Sequence, residues 1–176
     1  MTLEFFAAGK PEPQGSSKGF VITDKRTGKQ RAIVTSDNAK LKPWRWSVQL
    51  AARLAMERAG LGGQMIVGSP VHIEARFLMP APLWAQAKQK RGKVVACIVR
   101  PDVDKLARGL MDALTGIVLQ DDSLVVDLHP TKRYAVGVEE PGVHVLVASH
   151  QPETAAVAVS PPLDEDPPEP SEEATW

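Results

Sequence analysis

The sequence predicts a small single-domain α+β protein, with a mixed or antiparallel sheet and about two main helices. Three observations support this fold class. Short apolar or alternating stretches, separated by breaker residues, favour strands. Two longer stretches carry apolar residues at helical spacing. Residues 151–176 hold six prolines and few large apolar residues, so we expect residues 1–150 to form the domain and residues 151–176 to form a disordered acidic tail.

The first part of the chain predicts, in order, a strand, a hairpin and a helix. Their expected bounds are residues 3–7, residues 20–23 with 30–35, and residues 43–59. The turn at residues 9–15, which is rich in Gly and Pro, ends the strand. Ser36 and Asp37 can cap the helix, and Gly60 or Gly62 can end it.

The second part predicts four strands and the clearest helix of the chain. The strands are expected over residues 71–77, 94–99, 124–128 and 143–147, with an exposed loop over residues 80–93. Apolar residues of the helix recur at three- and four-residue spacing: Val103, Leu106, Ala107, Leu110 and Leu114. Asp102 suits the N-cap of this helix, and Gly116 stands where a glycine commonly follows a helix.

Charge is distributed unevenly along the chain. The net charge is zero, with 21 basic and 21 acidic residues, but residues 151–176 hold seven acidic residues and no lysine or arginine. Residues 1–150 therefore carry 21 basic against 14 acidic residues, a net charge of +7. A basic body with acidic residues concentrated between Asp102 and Asp127 suits an enzyme that binds phosphates and a divalent metal, although it also suits plain solubility.

Membrane and disulfide-stabilised classes are disfavoured. The apolar stretches are far shorter than the roughly 20 residues that cross a bilayer, and the N-terminus lacks the pattern of a signal peptide. We therefore expect a cytoplasmic protein without a membrane partner. The single cysteine, Cys97, is expected to be a small buried residue. No zinc-ligand spacing links the four histidines, for which strand or surface positions are expected: His72, His129, His144 and His150.

Acidic residues flank the clearest helix on both sides. Asp102 and Asp104 lie at its start, and Asp121 and Asp122 follow its end. A strand–helix–strand path is expected to return the second pair close to the first, where the carboxylates would bind Mg²⁺, or Mn²⁺ in its place. Such an ion polarises a phosphate and lowers the pKa of a bound water. Taken singly, each residue could instead be an N-cap, a charge at the helix start or part of a turn.

The segment from Arg100 to Gly116 reads R-P-D-V-D-K-L-A-R-G-L-M-D-A-L-T-G, and residues 121–127 read D-D-S-L-V-V-D. These motifs resemble the RusA family of Holliday junction resolvases, whose pattern is roughly P-D-x-D-N-x-x-K-x-x-x-D-x-L-x-G followed by D-D-x-x-V. Residues 5–15 also look like the family's first strand and turn. The resemblance implies a homodimer that binds four-way DNA junctions and makes paired nicks with Mg²⁺. By position, Asp102, Asp104 and Asp122 match the family's catalytic carboxylates.

Several basic positions depart from the family pattern or extend it. Lys105 stands where the family has asparagine, and Arg108 stands where it has a catalytic lysine. Arginine keeps the charge but does not donate a proton near neutral pH, so Arg108 is expected to act as a fixed cation. If the family lysine transfers a proton, Lys105 would have to take that role here, or activity would fall. Gln14 replaces a frequent lysine, whose phosphate contact Lys10 or Lys18 could make. Further DNA contacts are expected from Lys105 and from a basic loop, which could also be ordinary solvated surface: Lys88, Lys90, Arg91 and Lys93.

The sequence also fits two alternative functions. One is a non-catalytic, structure-selective DNA-binding protein that uses the same basic body. The other is a nuclease of the same chemistry that acts on flaps or other branched DNA. Three carboxylates near phosphates would repel DNA, which disfavours the pure binder, whereas the sequence fits a junction and a flap equally.

Overall fold

In a computed structural model, the chain is described over residues 2–15, 17–24, 26–36, 38–63 and 66–150. The side chains of residues 17–20 and 32–36 are not described. The Lys18 side chain and residues 151–176 therefore lie outside the described part of the chain. The phosphate contact of Lys18 and the disorder of the tail remain predictions. Among the described residues, no helix combines the length and the apolar character needed to cross a membrane.

A four-stranded sheet, a hairpin and three helices make up the described fold. In chain order the elements are β1 (Thr2–Ala8), β2 (Ser17–Thr23), β3 (Gln30–Ser36), α1 (Leu41–Arg58), β4 (Val71–Met79), α2 (Leu83–Gln89), α3 (Val103–Leu114), β5 (Val125–Tyr134) and β6 (Gly142–Ser149). The sheet has the order β1-β6-β4-β5, with β4 and β5 parallel and the other neighbours antiparallel. β2 and β3 form the expected hairpin. The α+β class with a mixed sheet is confirmed.

The core lies between one face of the sheet and the two long helices. α1 turns a face with three- and four-residue spacing inward: Leu41, Trp44, Val48, Ala52 and Met56. α3 buries most of its expected apolar stripe, including Leu106, Leu110 and Leu114. Gly116 follows α3 with a φ of 78°, so the glycine expected after the helix is confirmed. β4 contributes its alternate residues Ile73, Ala75 and Phe77 to the same core.

The opposite face of the sheet, called the outer face below, is open to solvent. On β4, His72, Glu74 and Arg76 point to this face, because they alternate with the core residues. The register of β5 pairs His72 with Asp127 and Phe77 with Lys132. Asp127 therefore lies on the outer face, and Lys132 lies on the face that carries the helices.

Two expectations for residues 80–99 are wrong. The segment expected to be an exposed loop contains α2. Residues 94–99 were expected to form a buried strand, but they form no strand, and Val94 and Ile98 are 100% and 89% exposed. Side chains of this segment point alternately to solvent and to the core, and Val95 and Cys97 pack inward. The expectation of a buried cysteine is confirmed.

The start of α1 also differs from the sequence prediction. The helix begins at Leu41 with Lys40 as its N-cap, so Ser36 lies too far upstream to cap it. The Asn38 side-chain oxygen accepts a hydrogen bond from the Lys40 backbone N–H instead, at 3.0 Å. Asp37, the other expected cap, lies outside the described residues.

The direction of α3 determines where its two acidic flanks lie. α3 connects the parallel strands β4 and β5, so it runs back from the end of β4 to the start of β5. Lys132, near the end of β5, donates a hydrogen bond to the Pro101 carbonyl, just before α3 begins. The start of α3 therefore lies beside the end of β5, and Asp122 lies at the other end of that strand.

Candidate active site

Asp102 and Asp104 present exposed carboxylates at the start of α3. Asp102 occupies the N-cap position in an extended conformation, with φ −70° and ψ 144°. Its side chain is 50% exposed, and among the described residues it accepts no capping hydrogen bond. Asp104 is exposed in the first turn. Neither carboxylate is used to cap α3, and both side chains are open to solvent.

Asp102 is surrounded by positive charge. The Lys105 ammonium lies 3.0 Å from its carboxylate. This hydrogen bond, together with the charges of Lys105, Arg100 and Lys132, lowers the pKa of Asp102 below its ordinary value. Asp102 therefore stays ionised at neutral pH, as a metal ligand must.

Lys132 fixes the backbone that leads into α3. Its ammonium donates hydrogen bonds to the Val99 carbonyl at 2.8 Å and to the Pro101 carbonyl at 2.7 Å. These carbonyls precede Asp102, so Lys132 ties the end of β5 to the residue that carries the first carboxylate. Lys132 is not among the site residues that the sequence predicts. Its position on the helix face of β5 could have suggested the contact, had the register of that strand been known.

The Gly- and Pro-rich turn at residues 9–15 packs beside the Asp102 carboxylate. A cavity of about 390 Å³ is lined by this turn and by the start of α3, including Lys10, Arg100, Asp102 and Lys105. The Gln14 backbone N–H donates to the Lys105 carbonyl at 2.9 Å. This geometry brings Lys10 and Lys105, two of the expected DNA contacts, to one cavity with Asp102.

Close packing holds this turn in place. Glu12 is 8% exposed and accepts a hydrogen bond from the Asn38 amide at 3.0 Å. Lys10 lies 3.6 Å from the Glu12 carboxylate. A Cβ atom added to Gly109 of α3 would lie 3.2 Å from the Glu12 carbonyl oxygen and 3.2 Å from the Trp44 ring. The glycine in the α3 motif therefore allows the turn to approach the helix.

Asp112 has a structural partner. The Arg45 guanidinium of α1 hydrogen-bonds the Asp112 carboxylate and the Gln14 side-chain oxygen. These contacts join α1, α3 and the turn. They explain the presence of an aspartate here without a catalytic role, and they show that Gln14 serves to bind Arg45.

Arg108 is exposed on α3, four residues after Asp104. Residues at this spacing can form an ion pair. Within the described part of the chain, however, no carboxylate pairs with the Arg108 guanidinium. Arg108 is therefore available to an external anion.

Asp122 lies away from the first two carboxylates. It begins a 3-10 turn over Asp122–Leu124 that leads into β5. α3 has 12 residues, so its two ends are separated by about 18 Å. Among the described residues, the one trio of potential ligand groups within 4.8 Å of one another does not include these aspartates. The expectation that the chain path returns Asp122 to Asp102 is wrong within a single chain.

The neighbouring acidic residue, Asp121, is engaged locally. Its carboxylate accepts a hydrogen bond from the Ser123 backbone N–H at 2.9 Å. Hydrogen bonds from Ser123 lower the pKa of Asp121. Asp121 therefore caps the 3-10 turn that presents Asp122, which is itself exposed.

The expected basic loop is exposed and partly helical. Lys88 lies in the last turn of α2, and its ammonium lies 5.3 Å from the centre of the Trp84 ring. Lys90, Arg91 and Lys93 follow the helix and are exposed. The loop thus offers a row of cations to solvent, as phosphate contacts require.

Comparison with known proteins identifies the family. A family model described as endodeoxyribonuclease RusA matches residues 17–148. The chain belongs to the RusA endodeoxyribonuclease family. A relative from Bacillus subtilis (strain 168), named "Uncharacterized protein YqaN", is 32% identical over 150 residues, which cover 82% of this chain and 94% of the relative. Membership in the RusA family supports an endodeoxyribonuclease that acts on Holliday junctions.

Proposed function

We propose that this chain is a metal-dependent endodeoxyribonuclease that resolves four-way DNA junctions by paired nicks. Asp102, Asp104 and Asp122 are its metal-binding and catalytic carboxylates. The observation that carries the proposal is the pair of exposed carboxylates at the start of α3, set among lysines and arginines in a chain of the RusA family.

The residues at the start of α3 suit Mg²⁺. Asp102 and Asp104 offer hard oxygen ligands on exposed side chains. Mg²⁺ is commonly bound by one or two carboxylates, while water and substrate phosphate complete its shell. When bound there, Mg²⁺, or Mn²⁺ in its place, would polarise the scissile phosphate and lower the pKa of a water molecule.

Basic residues of the chain bind the DNA and stabilise its charge in this proposal. Lys10 and Lys105 contact the phosphate nearest Asp102, which requires the Lys105 ammonium to exchange its present carboxylate partner for phosphate. Arg108 stabilises the negative charge that develops on the reacting phosphate. Its guanidinium remains protonated, so it acts as a fixed charge and transfers no proton. Backbone phosphates farther along the DNA are contacted by Lys18, Lys88, Lys90, Arg91 and Lys93.

A two-fold homodimer completes each active site in this proposal. Within one chain, Asp102 lies at the start of α3 and Asp122 lies beyond its end, and the two ends of this 12-residue helix are about 18 Å apart. In a two-fold dimer, a contact between one surface of the first subunit and a different surface of the second occurs twice, once in each direction. Asp122 of the partner subunit can therefore join Asp102 and Asp104, and each dimer then holds two such sites. Two sites also match the paired nicks that a four-way junction needs.

Cleavage of a synthetic four-way junction, a flap and a plain duplex, each with Mg²⁺, tests the proposal. Paired nicks in the junction are expected. Asp102→Asn, Asp104→Asn and Asp122→Asn should bind the junction without cleaving it, since asparagine removes the charge with little change in shape. Glu57→Gln, which changes an exposed carboxylate near the end of α1, is the matched control and should cleave normally.

The same experiment separates the alternatives. Faster cleavage of the flap would identify a nuclease for another branched DNA. Tight binding of the junction by the wild-type chain without any cleavage would identify a non-catalytic binder. Full nicking by an aspartate variant would remove that residue from the site.

A further inference from the structure

Two histidines and an aspartate meet on the outer face of the sheet. Asp127 and His129 are two residues apart on β5 and therefore share this face. Parallel pairing places His72 of β4 opposite Asp127. His72 Nδ1 lies 2.7 Å from one Asp127 carboxylate oxygen, and His129 Nε2 lies 2.9 Å from the other.

We propose that His72, Asp127 and His129 form a binding site for a divalent ion of the Zn²⁺ class. Two imidazole nitrogens and one carboxylate oxygen are a set that Zn²⁺ accepts, with a further position left for water or another ligand. Mg²⁺ prefers oxygen ligands alone, so this site differs in chemistry from the aspartates of α3. It also differs in place, because it lies on the face of the sheet opposite to α3.

The distances are close to those that a metal requires. One ligand atom from each of the three residues lies within 4.8 Å of the other two. Tetrahedral Zn²⁺ with bonds of about 2.0–2.1 Å holds its ligands roughly 3.3 Å apart. Modest side-chain rotations would therefore close the trio around an ion. The ion would replace the hydrogen bonds that now connect the carboxylate to the two rings.

Glu74 lies near the second ring nitrogen of His72. Its carboxylate lies 3.5 Å from His72 Nε2, the ring nitrogen that faces away from Asp127. Histidines that bind metals through one nitrogen usually donate the other N–H to a carboxylate or carbonyl, which fixes the ring orientation. His72 is thus oriented with Nδ1 toward the proposed ion and Nε2 toward Glu74.

Paired strands and an accessible groove complete the site. All three ligands lie on strands of one ladder, where the backbone is held by hydrogen bonds. A groove of about 740 Å³ runs along the outer face and is lined by His72, Glu74 and His129. The His72 and Asp127 side chains are 22% and 35% exposed. The ion can therefore enter from solvent, and water can occupy its remaining position.

Calorimetric titration of the metal-free full chain with Zn²⁺, and separately with Mg²⁺, tests this site. His72→Ala and His129→Ala are each expected to lower the affinity for Zn²⁺ by about tenfold or more. His144→Ala is the matched control, because His144 lies on the same face but packs against Phe6, with ring centres 4.6 Å apart. This control should bind Zn²⁺ as the wild type does.

Unfolding temperatures measured with and without Zn²⁺ distinguish a loss of metal binding from a folding defect. The His129 side chain is 65% exposed, so the metal-free His129→Ala variant should unfold at the wild-type temperature. Zn²⁺ should raise the unfolding temperature of the wild type and of His144→Ala, but not that of His129→Ala. Equal Zn²⁺ affinity in the wild type and His129→Ala would overturn the proposal, as would an equal loss in His144→Ala.

The result does not depend on the nuclease proposal. Asp102→Asn should keep the wild-type affinity for Zn²⁺ even though it no longer cleaves DNA. Loss of Zn²⁺ binding in Asp102→Asn would place the ion at α3 and contradict a separate site.

Discussion

Replacing Lys132 by methionine should slow cleavage much more than it weakens DNA binding. The Lys132 ammonium donates to two carbonyls just before Asp102, those of Val99 and Pro101. Methionine keeps the apolar stem but donates no hydrogen bond. The segment that carries Asp102 then loses its connection to β5, so Lys132 is a positioning residue and not a catalytic one.

The structure sets the expected loss of stability and the expected loss of cleavage rate. Hydrogen bonds to charged groups contribute about 1.5–3 kcal/mol each when they are sheltered from water. Water can reach the freed Val99 carbonyl, since Val99 is 49% exposed, so we expect the free energy of unfolding to fall by only about 1–2 kcal/mol. Misplacing a catalytic group by roughly 1 Å can cost about a hundredfold in rate. We therefore expect single-turnover cleavage to fall by about ten- to a hundredfold.

The assay separates positioning from a direct phosphate contact. Junction affinity is measured by titration without metal, and cleavage is measured with Mg²⁺ at saturating enzyme. Lys132→Arg should recover part of the rate, whereas Arg133→Met should leave the rate near wild type, because Arg133 pairs with Glu139 instead. Weaker junction binding by Lys132→Met with an unchanged rate at saturation would refute the reasoning.

Three further predictions follow from the chain's other features. Arg108→Ala should lower single-turnover cleavage by about a hundredfold or more, and Arg108→Lys should recover most of it, because a preorganised cation stabilises the transition state; an alanine variant within a few-fold of wild type would remove this role. Deleting residues 151–176 should leave folding and cleavage intact, since the tail lacks the apolar residues to join a core, and a large fall in unfolding temperature would show the opposite. Glu139→Gln should reduce stability at neutral pH by less than about 1 kcal/mol, well below what the pKa shift alone would give, because the two side chains are 40% and 37% exposed and solvent screens the pair. Hydrogen bonds from Arg133 and the Val136 N–H lower the pKa of Glu139 from 4.5 to about 2, so this stabilisation is present above pH 4.5 and is lost as the pH falls toward 2. Denaturant unfolding of the wild type and Glu139→Gln across that pH range should show the difference between their free energies of unfolding become smaller as the pH falls. A difference that stays constant would contradict the assignment.

Local signals in the sequence were enough to predict α3 and its ends. Its apolar stripe has the spacing of one helix face, Asp102 stands at the N-cap, and Gly116 adopts the positive φ that favours glycine. Composition alone was not enough for residues 94–99. A short apolar stretch has the same sequence pattern whether it pairs in a sheet or crosses the surface. Here Val94 and Ile98 face solvent.

Contacts between distant segments could not be read from the sequence. The parallel pairing of β4 with β5 brings His72 to Asp127, 55 residues away. The same crossover places Asp122 and Asp102 at opposite ends of α3, because a connecting helix runs antiparallel to the strands that it joins. The motif therefore predicted which aspartates to consider, but not their distance within one chain.

A mixed dimer of Asp102→Asn and Asp122→Asn chains tests the central claim most directly. The two chains are co-expressed with different affinity tags and purified through both. If each site combines Asp102 of one chain with Asp122 of its partner subunit, the mixed dimer has one site with both aspartates changed and one site intact. It should then nick one strand of the junction in the presence of Mg²⁺, while each parent homodimer binds the junction and cuts nothing. A folded, junction-binding mixed dimer as inactive as its parents would contradict the shared site, and cleavage by either parent would contradict the carboxylate assignment itself.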